Sequence, residues 1–214
     1  MPLDETRFIK IIQELIKFKS AVSRLPIKAE SWEEIIWASL VFMYGQDKIE
    51  WDPQSHEKSI DLKVRIDGRT FRVSAKAGEI KNDILSISSY RLTTFNKLPD
   101  MLHFIKEQHK NFDFYLICAR NVAGRYINYS VFKIEARRMN PPWFGKEKNW
   151  QKTKGGYELK VGFGFNAKIV FKMSNQLWYY LPLKYLTKKE RIVKLSIPRK
   201  DLGGGLIEFL KGRF

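Results

Sequence analysis

The sequence predicts an α/β or α+β fold, a central mixed β-sheet flanked by helices. Three observations predict it. Apolar residues recur at helical spacing in two N-terminal segments, residues 4 to 23 and 31 to 44. Strand-like segments then follow, interrupted by one further helical stretch. Hydrophobic residues make up 44% of the 214 positions, with 6 Trp, 9 Tyr and 15 Phe, which is enough to fill the core of a single domain.

The first helix carries Phe8, Ile11, Ile12, Leu15, Ile16 and Phe18 as its apolar stripe, a face for the sheet or for a dimer contact. In the second, Ser31 followed three residues later by Glu34 reads as a capping box opening an apolar run. With Glu34 engaged in the cap, Glu33 is the carboxylate left at the edge of the buried face. Residues 51 to 58 read as a loop, with turn formers at Pro53 and Ser55. Residues 59–66 and 69–76 read as paired strands joined by Asp67-Gly68, a two-residue hairpin signal. Ser88 or Ser89 is placed to cap a helix starting at Tyr90, with Arg91 in its first turn, a geometry suited to a phosphate. That helical stretch would run to 110, broken at Leu98-Pro99. Further strands are expected at 112–119, 126–134, 157–165, 167–173, 176–181 and 191–197, then a helical turn at 206–210. Gly203-Gly204-Gly205 has no Lys-Ser/Thr after it, so it reads as a flexible joint rather than a phosphate loop.

The hairpin carries the candidate chemistry. It sets Asp61 beside Ser74 and Lys76, and strand alternation points Ser74 and Lys76 to the same side. A carboxylate, a hydroxyl and an ammonium therefore converge. Carboxylate and carbonyl oxygens hold a hard cation such as Mg2+, which polarises a phosphoryl oxygen and activates water. Glu33 from its helix and the Ala75 carbonyl are further oxygen donors. A lysine beside such a centre orients or deprotonates the water. An ordinary salt-bridged surface hairpin is the alternative for these residues alone.

The order of motifs is Glu33 on a helix, then the loop Trp51-Asp52-Pro53-Gln54-Ser55-His56, then Ile60-Asp61 on a strand. Ser74-Ala75-Lys76-Ala77-Gly78 and Ser88-Ser89-Tyr90-Arg91-Leu92 follow. This order resembles the catalytic half of the PD-(D/E)xK nucleases, and among them the type II restriction endonucleases. The resemblance spans roughly residues 31 to 95. It implies a restriction-endonuclease-like core at about 31–135, with residues 136–214 extending the sheet and contacting DNA. The family's metal-binding Asp matches Asp61, its lysine Lys76 and its helix carboxylate Glu33. Its second acidic position falls on Ser74; some restriction enzymes carry Ser, Asn or Gln there. The change removes one negative charge, which Glu33 would supply. The resemblance further implies Mg2+ as cofactor, hydrolysis of phosphodiester bonds at a short specific site in double-stranded DNA, and a homodimer.

Charge agrees with such a partner. Lys and Arg number 39 against 23 Asp and Glu, a net charge of +16 with a pI near 9.8. The stretch from Arg137 to Gly156 reads as one basic, aromatic loop, with Arg138, Lys146, Lys148 and Lys152 among Trp143, Phe144 and Trp150. It is placed to track a phosphate backbone, or its tryptophans anchor a solvated loop. His56 would contact DNA near the cut or stabilise its own loop; His103 and His109 show no catalytic spacing. The single cysteine, Cys118, cannot form an internal disulfide and reads as a core residue. With no secretion segment and no apolar run near a membrane span, a cytoplasmic location is expected. Two other functions fit the same residues: a junction-resolving or repair nuclease on this core, and a non-catalytic basic nucleic-acid-binding protein, which Ser74 keeps open.

Overall fold

The computed structural model describes residues 5–51, 60–159 and 164–213. Its helices are α1 (Glu5–Ala21), α2 (Ala29–Tyr44), α3 (Leu98–Gln108) and α4 (Gly204–Lys211). Its strands are β1 (Ile49–Glu50), β2 (Leu62–Ile66), β3 (Arg69–Lys81), β4 (Ile84–Arg91), β5 (Phe114–Ala123) and β6 (Tyr126–Glu135). They continue with β7 (Trp150–Thr153), β8 (Gly156–Leu159), β9 (Asn166–Val170), β10 (Gln176–Pro182) and β11 (Arg191–Pro198). The strands form one mixed sheet in the order β11-β6-β5-β3-β4-β10-β9-β8-β7, with β2 also on β3 and β1 on β2. Helices lie on both faces, so the fold is α+β as expected. No described helix is long and apolar enough to cross a membrane.

β5 shows why the sheet sits at the centre. Phe114, Leu116 and Cys118 face a core formed with Phe8, Ile12, Trp32 and Ile36 of α1 and α2. Tyr115, Ile117 and Ala119 face a second core with Leu102 and Ile105 of α3 and with Leu177 and Tyr179. A strand buried on both faces reads as a continuous apolar run, as this one does. Cys118 is fully buried there, and burial pushes its thiol well above the usual range.

Local chemistry sets the turns. Asp67 and Gly68 both take positive φ, at 50° and 71°, the backbone of the tight turn that joins β2 to β3. Asn82 and Asp83 do the same between β3 and β4, at 48° and 57°. β3 therefore runs through Lys76 to Lys81, five residues beyond the expected strand.

Four expectations are corrected. α2 begins at Ala29, two residues before Ser31, and Lys28 at its N-cap makes no side-chain cap bond. The Ser31 capping box does not form, because Ala29 and Glu30 extend the helix backwards; Glu34 instead pairs with Lys19 of α1 at 2.5 Å. Second, Ser88, Ser89 and Arg91 lie on a strand rather than at a helix start. β4 is clasped antiparallel by β3 on one edge and β10 on the other, and this pairing overrides the local capping signal. The helix begins only at Leu98, with Pro99 in its first turn, where a missing N–H costs nothing. Third, the segment from 137 to 156 is not one loop: it holds β7 and the start of β8. Fourth, Gly203 does not open a flexible joint. It takes φ 73° immediately before α4, and a Cβ there would sit 2.5 Å from the Arg24 side chain.

A candidate metal-dependent active site at a split in the sheet

The site arises where β3 changes partners on one edge. β2 pairs with β3 from Arg69 to Val73, and β4 takes over only at Gly78. Between them, Ser74 to Ala77 have no strand on that edge among the described residues, while β5 pairs alongside on the other. Asp61, one residue before β2, closes the first part of this split: its backbone N–H donates to the Val73 carbonyl at 3.0 Å.

Three donors meet on one carboxylate oxygen. Asp61 Oδ2 accepts from Ser74 Oγ at 3.2 Å, from the Ala75 backbone N–H at 2.7 Å and from Lys76 Nζ at 3.0 Å. Charge-assisted bonds of this kind fix a carboxylate firmly. In an extended strand a residue's N–H and C=O point to the same edge, so the Ala75 carbonyl opens into the same split. Asp61 and Lys76 stay partly accessible, their side chains 23% and 20% exposed, whereas Ser74 is wholly buried. Ser74 therefore supports Asp61 from within rather than facing solvent.

Glu33 comes from the other side. It lies on α2, half-buried, beside Trp32, Ala75, Lys76, Ser88 and Ser89 around a cleft of about 210 Å3. Burial raises its carboxyl above the usual carboxylate range, and the nearby Asp61 charge raises it further. Lys76 and the Trp51 indole oppose this. Trp51 is itself packed on Trp37, with ring centroids 5.2 Å apart. Glu33, Asp61 and the Ala75 carbonyl together are oxygen donors of the kind a hard cation takes. Glu34, by contrast, is exposed.

The remaining candidates are dispersed. Ser88 and Ser89 do line the cleft, as strand residues. Arg91 ends β4 in solvent opposite Gln176. Arg137 is held by Glu135 at 2.6 Å, and Arg138 by Glu190 and the Tyr185 carbonyl. Lys146, Lys148 and Lys152 stand exposed, while Phe144 and Trp150 are buried: the aromatics of this segment anchor it and the lysines face water. None of these six basic residues is among those lining the cleft. His56 lies outside the described residues.

A buried network behind the cleft was not legible from spacing. Ser89 Oγ lies 3.5 Å from Tyr115 OH, which lies 3.2 Å from His109 Nε2. His109 Nδ1 is 2.8 Å from the Ile105 carbonyl and so carries the proton, leaving Nε2 to accept from Tyr115. Burial holds His109 down to about 4 and pushes Tyr115 up to about 12. Both rings are neutral in the folded protein near pH 7.

No protein-family model and no curated protein matches this chain. A solved structure described as a restriction endonuclease in complex with substrate DNA is similar to it. The two share 15% identity over 92% of this chain and 86% of that one, with a TM-score of 0.49. Arg120 and Trp178 escaped the sequence reading; they line a recess adjoining the cleft, on β5 and β10, strands that only the sheet order brings beside β3 and β4.

Proposed function

We propose that this protein is a Mg2+-dependent endonuclease that hydrolyses phosphodiester bonds at a short specific site in double-stranded DNA, in the manner of a type II restriction enzyme. One observation carries the reading: Ser74, Ala75 and Lys76 converge on Asp61 at the split in the sheet, with Glu33 facing them across the cleft. Asp61, Glu33 and the Ala75 carbonyl fit a hard, oxygen-preferring cation, and solvent would complete its shell. When bound, such an ion withdraws charge from a phosphoryl oxygen and makes its bound water acidic.

The chain's own groups do the rest. Lys76, held by Asp61, presents its ammonium to the scissile phosphate and can donate a hydrogen bond that orients the attacking water. Ser74 and the Ala75 amide keep Asp61 aimed into the split. Ser89, fixed by Tyr115 and His109, lines the opposite wall. The surplus of cations, among them Lys146, Lys148 and Lys152, draws in the duplex by displacing counterions. On a two-fold symmetric site the protein would act as a homodimer.

The test is incubation of plasmid DNA with purified protein and Mg2+. Discrete fragments with a common end sequence support the reading. Cutting confined to branched DNA would reassign the protein as a junction nuclease. Retarded but intact DNA would make it a binder in which Ser74 has cost the site its activity.

A further inference from the structure

A second recess adjoins the cleft and shares Ala29, Trp32, Ala77 and Ser88 with it. Its volume is about 320 Å3, within the range of small-ligand pockets. Lys28, Glu30, Ser86, Arg120 and Trp178 also line it. Two features point to a ligand. The Trp178 indole forms part of the wall and is only half-buried, so its ring offers an aromatic surface. Arg120 makes one long bond, 3.4 Å to the Ile27 carbonyl, which leaves most of its donors for another group.

The lining narrows the ligand's chemistry. Lys28 and Arg120 are balanced by Glu30 and Glu79, so the recess does not select a bare anion. Indole, hydroxyls, carboxylates and guanidinium together suit a planar ring with donors and acceptors around its rim. Gly78, in the recess wall, lies two residues past Lys76, about 6–7 Å along an extended strand. That is the reach of a neighbouring nucleotide.

We infer that the recess receives a nucleobase, that of the nucleotide next to the phosphate held at Asp61 and Lys76, turned out of the duplex stack. The inference rests on the nuclease reading for its DNA and adds to it a base taken out of the helix. Unstacking a base is unfavourable. Stacking on the Trp178 ring offsets part of that loss. Glu30 or Glu79 is placed to accept from an exocyclic amino group, and Arg120 to donate to a carbonyl or ring nitrogen.

The experiment uses the full chain with duplexes carrying 2-aminopurine at successive positions around the mapped cut, with cleavage blocked by Lys76→Ala. A several-fold rise in fluorescence at one position beside the cut is expected, reduced in a Trp178→Leu background that still retards the duplex. A flat profile in a bound duplex overturns the inference, as does a rise that Trp178→Leu leaves unchanged. A second measurement needs neither cleavage nor a recognition site. The Trp178 indole N–H resonance is followed while each common deoxynucleoside monophosphate is added. A shift that Arg120→Ala weakens supports the base site even if plasmid is never cut. No shift with any nucleotide overturns it even if plasmid cleavage is robust.

Discussion

The centre of the sheet and its β7 end handle charge in opposite ways. At the split in β3, three donors crowd one carboxylate oxygen and a second carboxylate leans in from α2. Around β7, the lysines of residues 146–154 are spread through water while Phe144 and Trp150 fill the core beneath them. Convergence is what bond-making needs, because a misplaced group forfeits most of its effect. Dispersion is what contact with a polyanion needs, because each cation there releases a counterion independently. A substitution at the split should therefore act on rate, and one at the distal end on salt dependence.

The sharpest test of that contrast is at Asp61 and Lys76. Replacing either with Ala should lower cleavage by well over ~100-fold, while duplex binding in a gel shift stays largely intact. A variant that cuts near the wild-type rate would place the chemistry elsewhere.

Between the two regions sits His109, touching Tyr115 next to the split and Tyr179 on β10. Its folded value of about 4 lies below the ordinary 6.5, so the neutral form is the one the fold stabilises. The unfolded chain takes up its proton first as pH falls. Stability is thus complete above pH 6.5 and drains between 6.5 and about 4, by up to roughly 3 kcal/mol. Denaturant midpoints measured across that window should fall, and His109→Phe should flatten the dependence. An unchanged slope would show that other groups govern acid unfolding.

Glu33 separates function from stability. Its carboxyl sits above the usual range, so its charged form is a cost to the fold that protonation removes as pH drops. Glu33→Gln should raise the thermal midpoint at neutral pH and yet raise several-fold the Mg2+ needed for cutting. A midpoint that falls would mean the charge is already compensated. Glu34→Gln, which loses only a partly exposed pair with Lys19, should shift stability by less than about 1 kcal/mol and leave the Mg2+ requirement unchanged.

The smallest effect belongs to the distal end. Neutralising Lys146, Lys148 and Lys152 together should flatten the salt dependence of DNA affinity, by about 0.9 for each phosphate left without its cation. The rate of cutting bound DNA should be preserved. A slower rate at saturating DNA would mean that the two regions are not independent.

What could be read from the sequence follows the distance over which each feature is decided. Asp61, Ser74 and Lys76 were legible because a two-residue turn fixes their neighbourhood within 15 positions. Glu33 was legible from its place on the rim of an apolar helix face. The Ser31 cap failed because two helix formers upstream were enough to move the start. Ser88 to Arg91 were misread for a different reason: their local signal favoured a cap, and a strand from β10, almost ninety residues onward, outweighed it. Arg120 and Trp178 lie on strands far apart in the chain, and no spacing rule joins them before the sheet does.

A sheet edge usually invites trouble, since its unpaired amides and carbonyls can recruit a strand from another chain. β3 carries such an edge in the middle of the sheet. It is only four residues wide, from Ser74 to Ala77, bounded by β2 on one side and β4 on the other. Asp61 already occupies part of it by bonding the Val73 carbonyl and the Ala75 amide. A foreign strand has too little length to register there. The gap thus exposes a stretch of sheet edge without offering a polymerising neighbour a place to add.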